Sequence, residues 1–584
     1  MSDEHEFRIR PGRIRSTRAQ QTRPFIAQAL AAAKKAGGGV SRSGRVTSGN
    51  RSRFGRGQRA SVQANRLITS RTRGAVVKAR VVRHMASSAP LGAHLDYLRR
   101  DGVTRDGEKA RLFGPGTEDA DGRAFAERCG DDRHHFRFIV SPDDALDMSD
   151  LRSFTDDLVG QMEKDLGTRL DWVAVAHWNT AHPHVHLIVR GTRDDGQDLV
   201  ISRAYIKEGM RDRARDLITL ELGPRTDLDI RRSLEAQVEA ERWTQIDRQL
   251  FRDAGKSGVV DLAPHADRPQ DEFHTLKVGR LRTLEVLGVA DQIGPAQWVI
   301  RPEAETVLRE IGERGDIIKR MHRALTERGI ERGSASYVLA GESLDVPVIG
   351  RLVERGLDDE LKGTAYAVVD GVDGRSHHIK LPHLDAAGDS PPGSIVELRA
   401  YEDVQGARRV ALAVRSDLDL GAQIGASGAT WLDRQAIARD PIALSDSGFG
   451  AEVRQALDDR AEHLIGEGYA ERQGGRVVFA RRLLSTLRRR ELDSLAEKLA
   501  GETGMSFERA ASGEYVAGSY RQRFALASGR FAMIEGPGPD GGLGFQLVPW
   551  SPSLEKQIGR HVSGVARDDG GVDWDFGRKR SLGL

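Results

Sequence analysis

Apolar residues recur with two periods between Leu91 and Leu222, and each period predicts an element. Leu91, Leu95 and Leu98 stand at i, i+4 and i+7, the stripe of an amphipathic helix. Ser88 offers an N-cap, Pro90 suits the first turn, and Gly102 stops the helix after about Arg100. Tyr97 lies about 120° from that stripe, so the helix need not bury it. Phe136 to Val140 predicts a strand closed by Ser141-Pro142. Leu151, Phe154, Leu158 and Met162 mark a helix ending at Gly167. Leu170 to His177 and His184 to Val189 predict two more strands. Ala204 to Leu222 predicts a helix with Ile206, Met210, Ala214 and Leu217 inward, stopped by Gly223-Pro224. The order helix, strand, helix, strand, strand, helix predicts an α+β sandwich, an antiparallel sheet with helices packed on it. Ile230 to Ala254 predicts one long charged helix leading away from it.

The C-terminal half carries a faint internal repeat. Leu284, Gly288, Ala290, Gly294, Arg301 and Val307 correspond to Leu464, Gly468, Ala470, Gly474, Arg481 and Leu487. Each copy predicts helix, glycine turn, two short strands and helix, the layout of a winged helix-turn-helix. Thr364–Leu381 and Ser394–Val414, between the copies, predict hairpins of a small β-barrel, and Tyr515–Trp550 is strand-rich again. Pro391-Pro392-Gly393 is a turn.

Charge changes the picture at the N-terminus. The chain's net charge is +3, yet residues 1–84 hold 20 Lys and Arg against 3 acidic residues. This arm, with Arg51, Arg53 and Arg56 among Gly and Ser, cannot bury a core and is expected to be disordered alone. Its natural partner is a polyanion, bound more weakly as salt rises. At 584 residues the chain has room for three to five domains. No apolar run is long enough to span a bilayer and the acidic start is no signal peptide, which predicts a soluble cytoplasmic protein. The single cysteine, Cys129, excludes an intramolecular disulfide framework. Ala254-Gly255-Lys256-Ser257 resembles the end of a phosphate-binding loop, but Leu250 holds the required upstream glycine position. No nucleotide-driven motor is visible.

Candidate chemistry concentrates in His177-Trp178-Asn179-Thr180-Ala181-His182-Pro183-His184-Val185-His186. Strand side chains alternate, so His184 and His186 share one face. A hairpin through Trp178–Pro183 returns His177 beside them. Three imidazoles with open positions left over suit a catalytic metal. Imidazole accepts zinc, manganese, iron, cobalt, nickel or copper, whereas magnesium prefers oxygen. His182, before the strand, reads as a loop residue. A polyanion-binding arm, a helix-borne tyrosine and three histidines are the parts of a DNA strand-transfer site. The ion would grip a phosphodiester while Tyr97 attacks phosphorus and displaces the 3′-hydroxyl.

The chain resembles a conjugative relaxase, or mobilisation nuclease, of the HUH endonuclease superfamily. The group that includes the T-DNA border nickase and the broad-host-range plasmid relaxases is the most similar. Ala93 to Gly102 is similar to the motif whose tyrosine is the nucleophile, here Tyr97, with Arg99 and Arg100 following as candidate DNA contacts. The strand into Val140-Ser141-Pro142 is similar to the second motif, which places Ser141 against DNA near the scissile phosphate. The run from His177 to His186 is similar to the third, which makes His177, His184 and His186 the metal ligands. This group commonly has an aspartate two residues after the first histidine. Asn179 stands there instead; an amide can orient an imidazole but supplies no negative charge. Asn179 and His182 are candidates for steadying the ligands from outside. Tyr205 is expected to be structural.

The resemblance covers about residues 75–230, and the remainder is similar to a C-terminal region of unknown function found in some relaxases. The expected organisation is a basic arm at 1–84, a relaxase domain at 85–229 and a helical connector at 230–256. Winged-helix-like segments follow at 257–330 and 421–504, β-rich segments at 331–420 and 505–555, and a tail at 556–584. The expected activity is strand-specific nicking at an origin of transfer, with a 5′-phosphotyrosyl adduct and a divalent ion, Mg2+ or Mn2+ first. The resemblance implies accessory proteins of the relaxosome, a coupling protein and a type IV secretion channel, without membrane insertion. It also implies passage of the protein to the recipient with DNA, for which Arg578 to Leu584 is a candidate signal. A rolling-circle initiator or transposase shares the chemistry but usually carries its tyrosine after the histidines. A DNA-binding regulator with a structural metal would not need Tyr97, and a metal-dependent RNA hydrolase would leave no protein–DNA adduct.

Overall fold

In this computed structural model the described residues are 39–40, 46–47, 71–84, 91–99, 104–105, 108–178, 182–264, 273–344 without 341–343, 346–402, 406, 408–538, 542–567 and 570–576. The chain divides into two compact units, residues 1–316 and 317–584, and each is described by itself.

The first unit is built on four antiparallel strands: β1 (Ala75–Arg83), β2 (His134–Pro142), β3 (Trp172–His177) and β4 (His184–Arg190), in the order β1-β2-β4-β3. The first of them lies within the stretch read from sequence as the end of the arm. Alternation gives the sheet two faces. Phe136, Phe138, Val140, Val185, Leu187 and Val189 point to one and join a core with α3 (Leu151–Leu166) and α4 (Met210–Leu222). Val173, Val175 and Ile188 point to the other, where α1 (Leu91–Leu98) and α2 (Gly122–Arg128) cover them with Leu91, Leu95, Leu98 and Phe125. Local signals set the helix ends: Asp150 accepts from the amides of Arg152 and Ser153 to start α3, and Gly167 ends it at φ 66°. Before α4, Tyr205–Gly209 forms a π-helical turn, so the predicted helix at 204–222 is not uniform. Buried Cys129 sits in the second core, where burial pushes its thiol up to about 12.

The predicted single helix at 230–254 is two helices, α5 (Asp227–Val238) and α6 (Gln245–Ala254). The break is a capping box: the Thr244 hydroxyl and amide both donate to Asp247, and the Asp247 amide donates back to Thr244. Arg280 on α7 (His274–Val286) closes the break from the other side. Its Nε and Nη2 donate to the Asp247 carboxylate at 2.8 and 2.9 Å, and it also reaches the carbonyls of Val238, Ala240 and Arg242. Both ions are fully buried.

Strands β5 (Val259–Asp261), β6 (Ala290–Gly294) and β7 (Gln297–Ile300) form a small sheet ordered β5-β7-β6, followed by α8 (Ala304–Thr326). The second unit begins within α8 and continues with β8 (Tyr337–Ala340), β9 (Val348–Asp359), β10 (Thr364–Gly371), β11 (Ser376–Leu381), β12 (Ile395–Glu402) and β13 (Arg408–Ser416). Then come α9 (Leu420–Ile424), α10 (Trp431–Ala436), α11 (Gly448–Gly466), β14 (Ala470–Gln473), β15 (Arg476–Phe479) and α12 (Leu483–Thr503). Last are β16 (Ser506–Phe507), β17 (Tyr515–Leu526), β18 (Gly529–Pro537), β19 (Leu543–Pro549), β20 (His561–Ala566) and β21 (Val572–Asp575).

The faint repeat is a duplication of the whole module. Helix, hairpin and helix recur as α7-β6-β7-α8 and α11-β14-β15-α12. Thr430 and Asp433 form the same capping box, and Arg460 binds Asp433 at 2.8 and 2.9 Å and the carbonyls of Ile424, Ala426 and Gly428. Each copy then has a six-stranded sheet, ordered β8-β11-β10-β9-β12-β13 and β16-β19-β18-β17-β20-β21. In both, the first pairing is parallel and the others antiparallel. Gly350 and Gly518 occupy matching places where the chains approach closely. A Cβ would stand 2.2 Å from the Asp370 carbonyl oxygen in one and 2.1 Å from that of Glu535 in the other. The expected small barrel is corrected here: among the described residues the sheet closes in neither copy. Its first strand has a parallel partner on one side only and does not pair with its last.

Removing one partner of a buried ion pair leaves the other charge uncompensated, at a cost of about 3–5 kcal/mol. Arg280→Ala and Arg460→Ala are each expected to lower stability by that order in chemical denaturation. A loss below about 1 kcal/mol would mean the pair is surface-like in energy.

Candidate metal centre and nucleophile

The two histidine-bearing strands meet as a hairpin in which His177 and His184 are directly opposed, and His186 faces Val175 on one side and Ile139 on the other. The three imidazoles therefore continue the face that carries Val173, Val175 and Ile188. Ring centroids lie 4.5 to 5.4 Å apart, and one nitrogen from each ring lies within 4.8 Å of the others. His177 and His186 are buried and His184 is half-buried.

Hydrogen bonds to backbone carbonyls set the tautomers of two of the rings. Nε2 of His177 is 2.9 Å from the Leu98 carbonyl. A carbonyl only accepts, so Nε2 holds the proton and Nδ1 the lone pair. Nδ1 of His184 donates in the same way to the His182 carbonyl at 2.9 Å, leaving Nε2 with its lone pair 3.1 Å from Nε2 of His186. Metal-binding histidines typically donate their other ring N–H to a carbonyl or carboxylate. Two nitrogens 3.1 Å apart suit neighbouring ligands of one ion with bonds of roughly 2.1 Å. Three imidazoles are a donor set for a borderline transition ion, so these residues fit the group that the resemblance implies.

Tyr97 arrives with α1. Its apolar stripe is the buried face, with Leu91, Leu95 and Leu98 at 9, 1 and 1 % exposure, which leaves half-buried Tyr97 beside it. The bond from His177 to the carbonyl of Leu98, the next residue, ties the end of that helix to the histidine cluster. Arg99 ion-pairs with Asp96 at 2.5 Å. Ser141 shares the face of Ile139 and His186, and its hydroxyl donates to the Pro183 carbonyl at 3.2 Å. Its visible contact thus steadies the loop just before His184. Arg105 lies over the Trp178 ring at 3.9 Å and holds the other end of that loop. His182 is exposed and contributes its carbonyl to His184. Arg51, Arg53, Arg56, Arg100 and Asn179 lie outside the described residues, as do the tail 577–584, Ser88 and Pro90. Tyr205 donates to Asp165 at 2.9 Å, and burial and that carboxylate push its phenol up, which suits a structural residue.

Sequence reading missed a basic row on the same face. Lys78 stands opposite Ile139, and Arg80 opposite Arg137. Lys78 and Arg80 are exposed and Arg137 is half-buried, so the row presents cations along this face. Burial, then Arg80, brings the Arg137 guanidinium down to about 10. Arg137 donates to Nε2 of His135 at 3.0 Å, and Nδ1 of His135 lies 2.6 Å from Nε2 of His84. Burial, followed by Arg137 and His84, brings His135 down to about 3. The Lys78-x-Arg80 and His135-x-Arg137 alternation was the available signal, hidden when residues 1–84 are read as one arm. Next to this row a cavity of about 920 Å³ is lined by His84, Leu95, Asp96, Arg99, Asp121 and His135, among others.

His135 is neutral in the fold and titrates near its ordinary value when unfolded. The unfolded chain therefore binds the extra proton first, and stability falls as pH drops from about 6.5 towards 3. One such group adds a slope of up to about 1.4 kcal/mol per pH unit. His135→Gln is expected to flatten the pH dependence of unfolding over that window; an unchanged slope would contradict a neutral buried imidazole.

Residues 119–221 match the relaxase family described as MobA/VirD2-like, nuclease domain. That segment includes α2, β2 to β4, α3 and the three histidines, while Tyr97 lies ahead of it. Residues 277–405 and 398–583 match the family described as protein of unknown function DUF3363. No curated protein and no solved structure was found to match the chain. The N-terminal unit thus contains a segment similar to relaxase nuclease domains, which implies a nuclease with DNA as its substrate. With matched segments spanning more than half of its 584 residues, the chain belongs to the DUF3363 family.

Proposed function

We propose that the chain is a relaxase that nicks one DNA strand by transesterification at an origin of transfer. The observation that carries this reading is the convergence of three imidazoles at the end of the helix that bears Tyr97, next to a nuclease-family match. The phenolate oxygen of Tyr97 attacks phosphorus, a Tyr–O–P bond forms, and the bond to the 3′-oxygen breaks. The departing 3′-oxygen takes up a proton, balancing the one the Tyr97 phenol gave up, so the products are a 5′-phosphotyrosyl strand and a free 3′-hydroxyl. One phosphodiester replaces another, so the step reverses without ATP. His177, His184 and His186 would hold a divalent ion, Mn2+ or Mg2+, which supplies charge neutralisation at the non-bridging oxygens. The Leu98 and His182 carbonyls fix the tautomers of His177 and His184, so the rings need no reorganisation. Lys78, Arg80 and Arg137 attract the strand along the face that leads to the histidines.

In this reading residues 85–229, with β1 added, are the catalytic domain. The part of the 1–84 arm ahead of β1, with Arg51, Arg53 and Arg56, adds sequence-independent affinity, and Ser141, Arg99 and Arg100 line the DNA path. Asn179 and His182 steady the ligands, and the C-terminal copies form the winged-helix-like and β-rich segments. The protein acts in the bacterial cytoplasm with accessory relaxosome proteins, a coupling protein and a type IV secretion system, and crosses with the DNA. Among the described residues no helix is long and apolar enough to cross a membrane. The tyrosine-before-histidine order favours this over a rolling-circle initiator or transposase.

A labelled single-stranded oligonucleotide carrying the cognate transfer origin is expected to give a denaturation-resistant adduct with Mn2+ or Mg2+, absent in Tyr97→Phe. His186→Ala is expected to lower the nicking rate about 10²–10³-fold and to weaken Mn2+ binding by calorimetry. Tight oligonucleotide binding with no adduct would favour the DNA-binding regulator instead.

A further inference from the structure

The two copies of the C-terminal module differ sharply at one place. In the first, β7 is flanked by β5 as well as β6, and Gln297 to Ile300 are all buried. In the second, β14 and β15 stand as a two-stranded hairpin with no third strand beside them among the described residues. Its inner side holds Ala470 and Phe479 against Leu464, Leu483 and Leu487. Its outer side, Glu471, Gln473, Arg476 and Val478, is exposed throughout.

The charge of the corresponding window changes with this exposure. Residues 291–309 hold two arginines and three carboxylates, whereas residues 471–489 hold six arginines and one glutamate. Position by position, Gln292, Ala296 and Pro302 are replaced by Arg472, Arg476 and Arg482, and Glu305 by Ser485. In the first copy Arg301 pairs with Asp291 and Arg309 with Glu305. In the second, Arg472 pairs with Glu462 and Arg489 with Asp493. Arg476, Arg481 and Arg482 are exposed and form no ion pair among the described residues. Within a fold shared by both copies, one hairpin is neutralised and covered while the other projects uncompensated cations.

We propose that the hairpin β14–β15 and the start of α12 form a contact for the phosphate backbone of duplex DNA. Glu471 is the one carboxylate on the outer face, and arginine heads that form no ion pair neutralise phosphates and release counterions. The outer face carries no aromatic ring, whereas single-strand platforms stack bases on aromatics; this favours a duplex. The exposed face of α11 holds Asp458, Asp459 and Glu462, so the hairpin rather than that helix meets the phosphates. The contact rests on the chain acting on DNA, not on the nicking chemistry, and lies outside the histidine cluster.

The test is duplex binding by the full chain, monitored by fluorescence anisotropy on a labelled duplex of arbitrary sequence over a range of salt. Replacing Arg476, Arg481 and Arg482 together by alanine is expected to weaken binding at least tenfold at moderate salt. The slope of log K against log salt should fall by about 2 to 3, from roughly 0.9 per lost phosphate contact. The triple lysine variant should restore the slope, and circular dichroism should show both variants folded. Unchanged duplex affinity, weaker binding with an unchanged slope, or a loss confined to single-stranded DNA would each overturn the proposal. In the first of these cases the arginines would instead suit an acidic protein surface. An adduct assay plays no part, so failure of the nicking reading leaves this result interpretable.

Discussion

The hydrogen bond from His177 to the Leu98 carbonyl joins the end of β3 to the end of α1, and the geometry of the site hangs on it. It satisfies one of the last carbonyls of the helix, which otherwise lack partners. It makes Nε2 of His177 the donor and leaves Nδ1 as the nitrogen able to bind an ion. It also sets where Tyr97 can be, since Tyr97 precedes Leu98 and the leucine stripe forbids the helix from rolling. One bond thereby couples a nucleophile-bearing helix to a ligand-bearing strand.

The sheet supplies the second constraint. Strand alternation sends one set of side chains into the core under α3 and α4 and the other towards α1, α2 and the histidines. On that second face the character changes along the strands, from apolar Val173, Val175 and Ile188 to the three imidazoles, and across them to Lys78, Arg80 and Arg137. The apolar part anchors the helices and the polar part stays open to chemistry. A one-residue register slip would exchange the two faces, which is why the long ladder between β1 and β2 matters so far from the histidines.

Much of this is legible in the sequence, for physical reasons. Period-two alternation marks β2, β3 and β4, and period 3.6 marks α1 and α3. The spacing of His177, His184 and His186 is enough to foresee a shared face, because a hairpin admits one register that opposes His177 to His184. Strand β1 is obscured by its setting, since Lys78, Arg80 and Arg83 make it look like more of the basic arm. The break at Thr244 is hidden because Arg280, distant in sequence, is what stabilises it. The duplication shows only as six matched positions because the sheets are specified by register and close glycine approaches rather than by identical side chains. The roles of Arg51, Arg53, Arg56, Arg100 and Asn179 rest on sequence alone.

The buried Arg280–Asp247 and Arg460–Asp433 pairs have nearly the same geometry, down to three carbonyls each. Neither arginine therefore distinguishes its own capping loop from the matching loop of the other copy. Two such modules in one chain invite each to capture a piece of the other, the characteristic error of repeated domains. Order of synthesis offers a remedy. With a ribosome adding about 5–20 residues per second, the stretch from Arg280 to Arg460 gives the first module roughly 10–35 s to close on itself. By the time Arg460 emerges, every residue that seals Asp247 has been made. Chain order thus gives the first module a head start that the matching geometry of the two pairs does not supply.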